Sequence, residues 1–582
     1  MLSTDRSLNL SGMQKYVLPM LVFTFGLQLL RAFIPGLAWY LRDTVGIDTL
    51  SLIPYAFGTF FLGFLAPLLL RIFGDRVALW ITAGGLGLIR FIEQISRDPA
   101  LDFWLAIAGM GLFLNFISLY IGHIRGQDGS PSHNCAYGLI LGFAFDTALR
   151  GLFGARDLST VTGFIPTILV GLIAVLMFWL LWQEPKTLQG KFTDGTGKGA
   201  FLLLAIGPLF TLQLLYLGSQ GWVEEVAGLG YPIGFIVVLL GYLAAAGGLS
   251  LGYARPKSLH PLLAALFTII LTLVFFYADQ TGVFTLAVVI LGQFFIGWGL
   301  AVISSVYSSG KAFGLWRTTL SAAGGMVIFL ALSFAYYIGL DMALPIPRGS
   351  FPAVAAALFG ILVFSGTFSA RVNTESSWDY SGITGAGILV LVPLVYWLVL
   401  GAAPQPDQPS GYPVKVMSYN IHSAFNVEGS QDLEAIASII ENSGADIIGL
   451  QEVSRVRLMD GSADMPTWLA NRLDMQMVFQ GTEEPIWGNA ILSRYPILET
   501  GYGDLPIEGS LIKRGYLWAL IDVGAEEPLL VIVTHLHHLE EDSNIRIVQV
   551  PVIMDFWDER SSTVVIGDLN AEPDAPEMQL IA

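Results

Sequence analysis

The chain has 582 residues, 54% of them hydrophobic and only 13% charged. Soluble domains carry about 25% charged residues, so the composition excludes an ordinary soluble protein, and so low a charge content also excludes a disordered chain. The formal charge of −17 is unevenly spread: residues 1–411 hold 20 Lys and Arg against 19 Asp and Glu, whereas residues 412–582 hold 9 against 27. A near-neutral apolar part is thus followed by an acidic, more polar one. Phosphate backbones are gripped by Lys and Arg, which makes nucleic acid the less favoured partner of the acidic part. The single cysteine, Cys135, excludes an intrachain disulfide framework and a cysteine-based metal site.

A bilayer core takes about 20 mostly apolar residues per helix. Thirteen candidate spans follow in chain order, near 17–40, 49–70, 77–93, 101–122, 134–153, 161–182, 199–218, 231–253, 260–277, 282–306, 318–339, 351–368 and 382–402. The third and fifth carry ionisable groups, Arg90 in one and Asp146 with Arg150 in the other. Asp146 and Arg150 stand four apart, a spacing at which they can pair on one helix face. Such groups can also mark a substrate or ion path. The 64 glycines suit closely packed membrane helices. The first apolar run is long and lacks a small-residue cleavage site, so it reads as a retained helix. Thirteen Lys and Arg fall in one set of alternating loops, among them Arg71, Arg125, Lys186 and Lys311, and five in the other, among them Arg42 and Arg348. This bias predicts a cytoplasmic N-terminus. With an odd number of spans, it puts the C-terminal part outside the cytoplasm.

Residues 1–402 are therefore expected to be a multi-pass α-helical membrane bundle, and 403–413 a linker. The stretch GAAPQPDQPSGYP (401–413) has four prolines in thirteen positions and reads as stiff and extended. From 414 onward the pattern becomes α/β. Strands are expected at 414–421, 446–452, 488–493, 517–523, 529–536 and 562–569. A helix following Leu433, Ile436, Ala437 and Ile440 is expected to be capped by Ser430 and stopped by Gly444, and another helix fills 543–558.

Polar groups stand where these apolar strands end. Asn420 follows VKVMSY, Glu452 follows DIIGLQ, His535 follows LLVIVT, and Asp568 and Asn570 follow STVVIG. Taken singly, each has an ordinary explanation as a turn former or a solvated side chain. Together they are rigidly positioned groups at one kind of location, where layered α/β folds gather ligands.

The ordered strings MSYNI (417–421), DIIGLQEV (446–453), GNAILSR (488–494), VTHL (533–536) and VIGDLNAEP (565–573) resemble the endonuclease/exonuclease/phosphatase superfamily. Arg514, Arg546 and Gln549 fit its pattern more weakly. The resemblance implies an α/β two-sheet sandwich over 414–582 and divalent-metal phosphoester hydrolysis. It implies Glu452, Asn420 and Asp568 around a Mg²⁺ (or Mn²⁺), with Asp568 orienting or deprotonating the attacking water. His535 would contact the phosphoryl or leaving group, Asn570 would hold a phosphate oxygen, and Asn489 and Arg514 would line the substrate site. The family also closes with an Asp-His pair. No histidine follows Asn570, and the C-terminal domain is expected to be truncated. His537 and His538 are expected on the surface. A many-helix part followed by such a module is similar in architecture to the membrane proteins that remodel GPI-anchor lipid. The expected activity is a membrane-tethered phosphodiesterase or phosphatase acting on a lipid or glycolipid headgroup at the extracytoplasmic surface. RIFGDRVAL (71–79) has a faint likeness to a loop of major-facilitator transporters, so a transporter with an accessory domain is the alternative.

Overall fold

The computed structural model describes residues 10–123, 131–183, 199–255, 260–309, 314–341, 346–369, 380–401, 403–507, 512–539 and 541–581. The chain divides into two compact units. One comprises Met1–Phe153, Asp157–Tyr336 and Pro347–Val399, the other Gly154–Arg156, Tyr337–Ile346 and Leu400–Ala582.

The first unit is helical. Its α-helices are α1 (Leu10–Pro35), α2 (Ile53–Phe61), α3 (Ala66–Leu79), α4 (Gly85–Ile95), α5 (Pro99–His123), α6 (Pro131–Leu152), α7 (Phe164–Gln183), α8 (Ile206–Leu212), α9 (Gln220–Ala227), α10 (Ile233–Ala254), α11 (Pro261–Phe276), α12 (Thr285–Ser309), α13 (Leu315–Asp341), α14 (Ser350–Thr367) and α15 (Tyr380–Leu400). Among the described residues, eleven helical runs are long and apolar enough to cross a bilayer, which fits a multi-pass membrane protein.

The eleven runs differ from the thirteen expected spans at two places. Residues Thr49–Ile95 form one run of 47 residues, roughly 70 Å at about 1.5 Å per residue, more than twice the ~30 Å of a bilayer core. The run breaks at Gly74, whose φ of 74° lies outside the helical region. The expected spans 49–70 and 77–93 therefore lie on either side of the break in this run. The span expected at 260–277 is α11, which at 16 residues is apolar but short.

Six ionisable groups of this unit, Arg31, Arg90, Glu93, Asp146, Arg150 and Asp157, are buried and paired. Arg31 of α1 bonds both Asp146 of α6 and Asp157. Arg150 lies 3.5 Å from Asp146, so the four-residue spacing does make a pair. Arg90 bonds Glu93 at 2.7 Å, Gln94 at 2.7 Å and Gln28 at 2.8 Å. Mutual pairing is the arrangement that burial of charge requires. Small residues allow close helix approach, as between α10 and α12. A Cβ at Gly248 would collide with the Phe294 carbonyl, and one at Gly297 with the Ala245 carbonyl.

The bulk of the second unit is an α/β sandwich. Its strands are β1 (Val416–Asn420), β2 (Ile447–Ser454), β3 (Gln476–Glu484), β4 (Trp487–Ser493), β5 (Ile497–Asp504), β6 (Gly515–Ile521), β7 (Leu529–His535) and β8 (Thr563–Asp568). They form two four-stranded sheets ordered β1-β2-β4-β3 and β5-β6-β7-β8. Pairing is parallel in β1/β2 and β7/β8 and antiparallel elsewhere.

Alternation along the strands sends successive side chains to opposite faces. Ile447 of β2 and Val531 and Val533 of β7 pack in the layer between the sheets. Ile448 and Leu450 face outward beneath α16 (Leu433–Ser443) and α17 (Met465–Leu473). Leu530 and Ile532 face outward beneath Val550 and Ile553 of α18 (Ser543–Trp557). Gly449 lets β2 come close to the other sheet, since a Cβ there would stand 2.6 Å from Ile566 and 2.7 Å from Val533.

The cap of α16 differs from expectation. Asp432, not Ser430, accepts the Ala435 N–H, at 3.0 Å, while the Ser430 N–H is tied to Asn426 Oδ1 at 2.9 Å in the preceding turn. Gly444, at φ 64°, ends the helix as expected. The proline-rich stretch lies along the sandwich, with Asp407 N–H bonded to the Arg494 carbonyl and Gly411 N–H to the Val523 carbonyl, each at 2.7 Å.

Candidate active site

The site lies where β1, β2, β7 and β8 finish. In the two parallel pairs Asn420 registers with Gln451 and His535 with Asp568, so strand pairing brings the polar residues to common levels. Glu452 is turned into place by a local irregularity. The β2/β4 register shifts between Leu450 and Val453, and Glu452 has a φ of 54°. A bulge re-aims the side chain it carries, and positive φ in a residue other than glycine is retained where the surroundings enforce it.

Asn420 joins the two sheets. Its Nδ2 donates to Asp568 Oδ2 at 2.8 Å and to Glu452 Oε1 at 3.1 Å, and its Oδ1 accepts the His422 N–H at 3.0 Å. The amide thus presents nitrogen, not oxygen, to the carboxylates. Asp568 is oriented in turn by Asn570, whose N–H reaches Asp568 Oδ1 at 3.1 Å, while Asn570 Nδ2 donates to the Leu536 carbonyl at 3.2 Å. Asn570 has a φ of 49°, a conformation that asparagine adopts more readily than most residues.

His535 is buried beside these groups. Arg514 Nη1 stands 3.0 Å from its Nδ1. A guanidinium can only donate, so Nδ1 is the acceptor and the ring proton sits on Nε2. Nε2 lies 3.8 Å from Asp568 Oδ2 and 4.0 Å from Glu452 Oε1, too far for direct hydrogen bonds. Burial, then Arg514 and His538, hold the imidazolium well below the ordinary histidine range, so the ring is neutral at pH 7. Burial also lowers Arg514 to about 10 against the opposing pull of Glu452, Asp568 and Glu483, leaving it charged at neutral pH. Its guanidinium lies 5.7 Å from the Trp487 ring centroid, and its Nε is buried without a hydrogen-bond partner.

The remaining expected residues fall into supporting positions. Asn489 is buried on β4 and donates to the Gly515 carbonyl at 3.3 Å, next to Arg514. Arg546 and Gln549 of α18 hold the segment after β7. Arg546 bonds Glu577 and the Leu539 carbonyl, each at 2.6 Å, and Gln549 accepts the His537 N–H at 3.1 Å. His537, expected on the surface, is buried with its Nε2 2.9 Å from Asp542 Oδ2; His538 is exposed as expected. Trp487 and Asp542 are additions that the sequence does not single out, since neither stands at the end of an apolar run.

Among the described residues no group of three or more His, Cys, Asp and Glu side chains forms a ready-made metal centre. The donor set nevertheless fits a hard divalent cation. Two carboxylates converge on one neutral amide, and the positive charge of Arg514 lies behind a neutral imidazole. Mg²⁺ characteristically takes one or two carboxylates and keeps several waters. Glu452 and Asp568 are the residues that would hold it.

Residues 413–581 match the family model described as "PGAP2IP, C-terminal nuclease-like domain". Solved structures similar to the chain include an endonuclease/exonuclease/phosphatase from Beutenbergia cavernae DSM 12333, 25% identical over 29% of this chain and 52% of that one, with a TM-score of 0.25. Others are truncated Caenorhabditis elegans TDP2, at 22%, 28%, 64% and 0.23 in the same order, and ANGEL2, described as a 2',3'-cyclic phosphatase, at 19%, 29%, 56% and 0.24. The chain spans about half the length of the Beutenbergia protein, and TM-scores this low carry no argument of their own. On its two-sheet topology and the family match, the segment 413–581 is a nuclease-like domain of the endonuclease/exonuclease/phosphatase type.

Proposed function

We propose that this domain hydrolyses a phosphoester with Mg²⁺ or Mn²⁺, and that the helical unit tethers it to a membrane whose lipid or glycolipid headgroups are the substrate. The observation that carries the reading is the Asn420 amide joining Glu452 and Asp568 beside the Nε2–H of His535. When bound, the cation neutralises phosphoryl charge and lowers the pKa of an attacking water. Asp568, held by Asn570 and Asn420, orients that water and accepts its proton. His535, locked by Arg514 into the Nε2–H form, donates to a phosphoryl oxygen or to the departing oxygen. Arg514 Nε, buried and unpartnered, supplies a second donor for the same group. Tethering raises the effective concentration of domain and lipid headgroup, whereas 27 acidic against 9 basic residues in 412–582 disfavour a polyanion. The loop-charge bias puts the N-terminus in the cytoplasm and the domain on the opposite face.

The test is phosphate or headgroup release by the full chain from phospholipid, glycolipid and DNA panels, with Mg²⁺ and with EDTA. The reading expects release from a lipid substrate that EDTA abolishes. Release from DNA alone would remove the lipid assignment, and no release from any phosphoester would remove the hydrolase. A transport function would need intramembrane charge available to a solute; Arg31, Asp146, Asp157 and Arg150 instead pair among themselves.

A further inference from the structure

Alternation carries the inner face of the sandwich up to the site in steps of two residues. Ile447 on β2, Val531 and Val533 on β7, and Val564 and Ile566 on β8 belong to the layer between the sheets. Gly449 stands opposite Val533 and Ile566, which a Cβ there would meet at 2.7 and 2.6 Å. The next inward positions are Gln451 on β2, His535 on β7 and Asp568 on β8. Gln451 registers with Asn420 on β1, and on β4 Asn489 follows inward-facing Ile491 by the same step of two. Three amides thus cross the sheet side by side, and the middle one faces His535 and Asp568 of the other sheet.

The outer two amides are engaged, Asn420 with Asp568 and Glu452, and Asn489 with the Gly515 carbonyl. Gln451 differs. It is fully buried, and among the described residues neither its Oε1 nor its Nε2 has a hydrogen-bond partner. Buried polar side chains are almost always bonded, and a hydrocarbon side chain of the same shape would fill this place without the desolvation cost. An idle amide selects what it binds. A cation would use Oε1 and leave Nε2 idle. A phosphoryl oxygen only accepts, so it would use Nε2 and leave Oε1 idle. Water both donates and accepts, and it satisfies both ends. The same space is bordered by Asp568 and by His535 Nε2, which at 3.8 and 4.0 Å is hydrogen-bonded to neither carboxylate.

We propose that Gln451, together with Asp568, binds the attacking water; this role rests on the hydrolytic function proposed for the site. Oε1 accepts one proton of the water and Nε2 donates to its oxygen, which leaves one lone pair to face phosphorus. The other proton passes to Asp568 as the oxygen–phosphorus bond forms. The ester oxygen leaves and takes a proton from solvent, and Gln451 keeps its own protons.

The experiment has two arms, both on the full chain. A structure with Mg²⁺ alone, at a resolution that shows ordered water, should place a water within ~3 Å of both Gln451 Oε1 and the Asp568 carboxylate. Gln451→Met keeps the length of the side chain and removes both polar ends. It should lower kcat for phosphoester release by roughly 100-fold, the scale of a misplaced reactant, with KM and Mg²⁺ affinity unchanged. No water at Gln451, or one out of reach of Asp568, would overturn the proposal even if the variant did not fold. So would a folded Gln451→Met chain with unaltered kcat, or one whose Mg²⁺ affinity falls in step with kcat, as it would for a merely structural residue. Those outcomes leave the hydrolytic function standing. An unsubstituted chain that releases nothing from any phosphoester would instead defeat that function, and the role of Gln451 with it.

Discussion

Glu452 shows how one strained residue can serve a site. A bulge and a φ of 54° turn its carboxylate toward Asp568, and Asn420 holds the two acids to one amide. Glu452→Ala should lower headgroup or phosphate release by about 100-fold or more, the scale of losing a group that stabilises transition-state charge, as initial rates at saturating Mg²⁺ would reveal. His535 makes a second prediction. Its pKa in the folded chain lies well below the unfolded 6.5, so between those values the unfolded chain binds more protons. Stability is then fully present above pH ~6.5 and is lost as pH falls toward the folded pKa. Urea unfolding of the metal-free full chain should show this acid loss, and His535→Gln should flatten it. An unchanged slope would mean that the buried neutral ring is not what couples folding to pH. Asn420, Glu452, His535, Asp568 and Asn570 are legible in sequence because each follows an apolar run. The amide orientation of Asn420 and the stacking of Trp487 on Arg514 are not, because both depend on partners from distant segments.

At the scale of elements, alternation and capping explain what the sequence reveals. The strands buried on both faces, β2 and β7, read directly as apolar runs. β3 and β5 do not. QMVFQGTEE and ILETGYGD mix polar residues and glycine into sheet-edge positions, where one side of the ladder is unpaired and apolar content is not required. α17 is also missed, being nine residues with a proline at its start. The long helical run reads as two spans in sequence, and the break at Gly74 falls between them. Gly449→Val should destabilise the domain by ~1–3 kcal/mol through overpacking against Ile566 and Val533. Asp432→Ala should cost about 1 kcal/mol through loss of the α16 cap. Denaturant titration of the full chain, followed by domain tryptophan fluorescence, measures both.

For the whole molecule, composition separates an apolar helical part from an acidic α/β part, whereas the second compact unit of the structure adds Gly154–Arg156 and Tyr337–Ile346 to Leu400–Ala582. In the helical unit, Asp146→Asn removes the charge shared by Arg31 and Arg150. Breaking a buried pair costs ~3–5 kcal/mol, so a thermal-shift assay in detergent should show a lowered melting temperature. A stable variant with altered solute uptake would instead support transport. The central claim is that Glu452 and Asp568 form one cation-dependent hydrolytic centre. Mg²⁺ binding to the full chain by isothermal titration calorimetry, alongside lipid-phosphoester hydrolysis, tests it most directly. The account expects saturable binding that Glu452→Ala and Asp568→Asn each weaken, together with hydrolysis that follows Mg²⁺ occupancy. Unaltered Mg²⁺ affinity in both variants, or hydrolysis undiminished in EDTA, would contradict it.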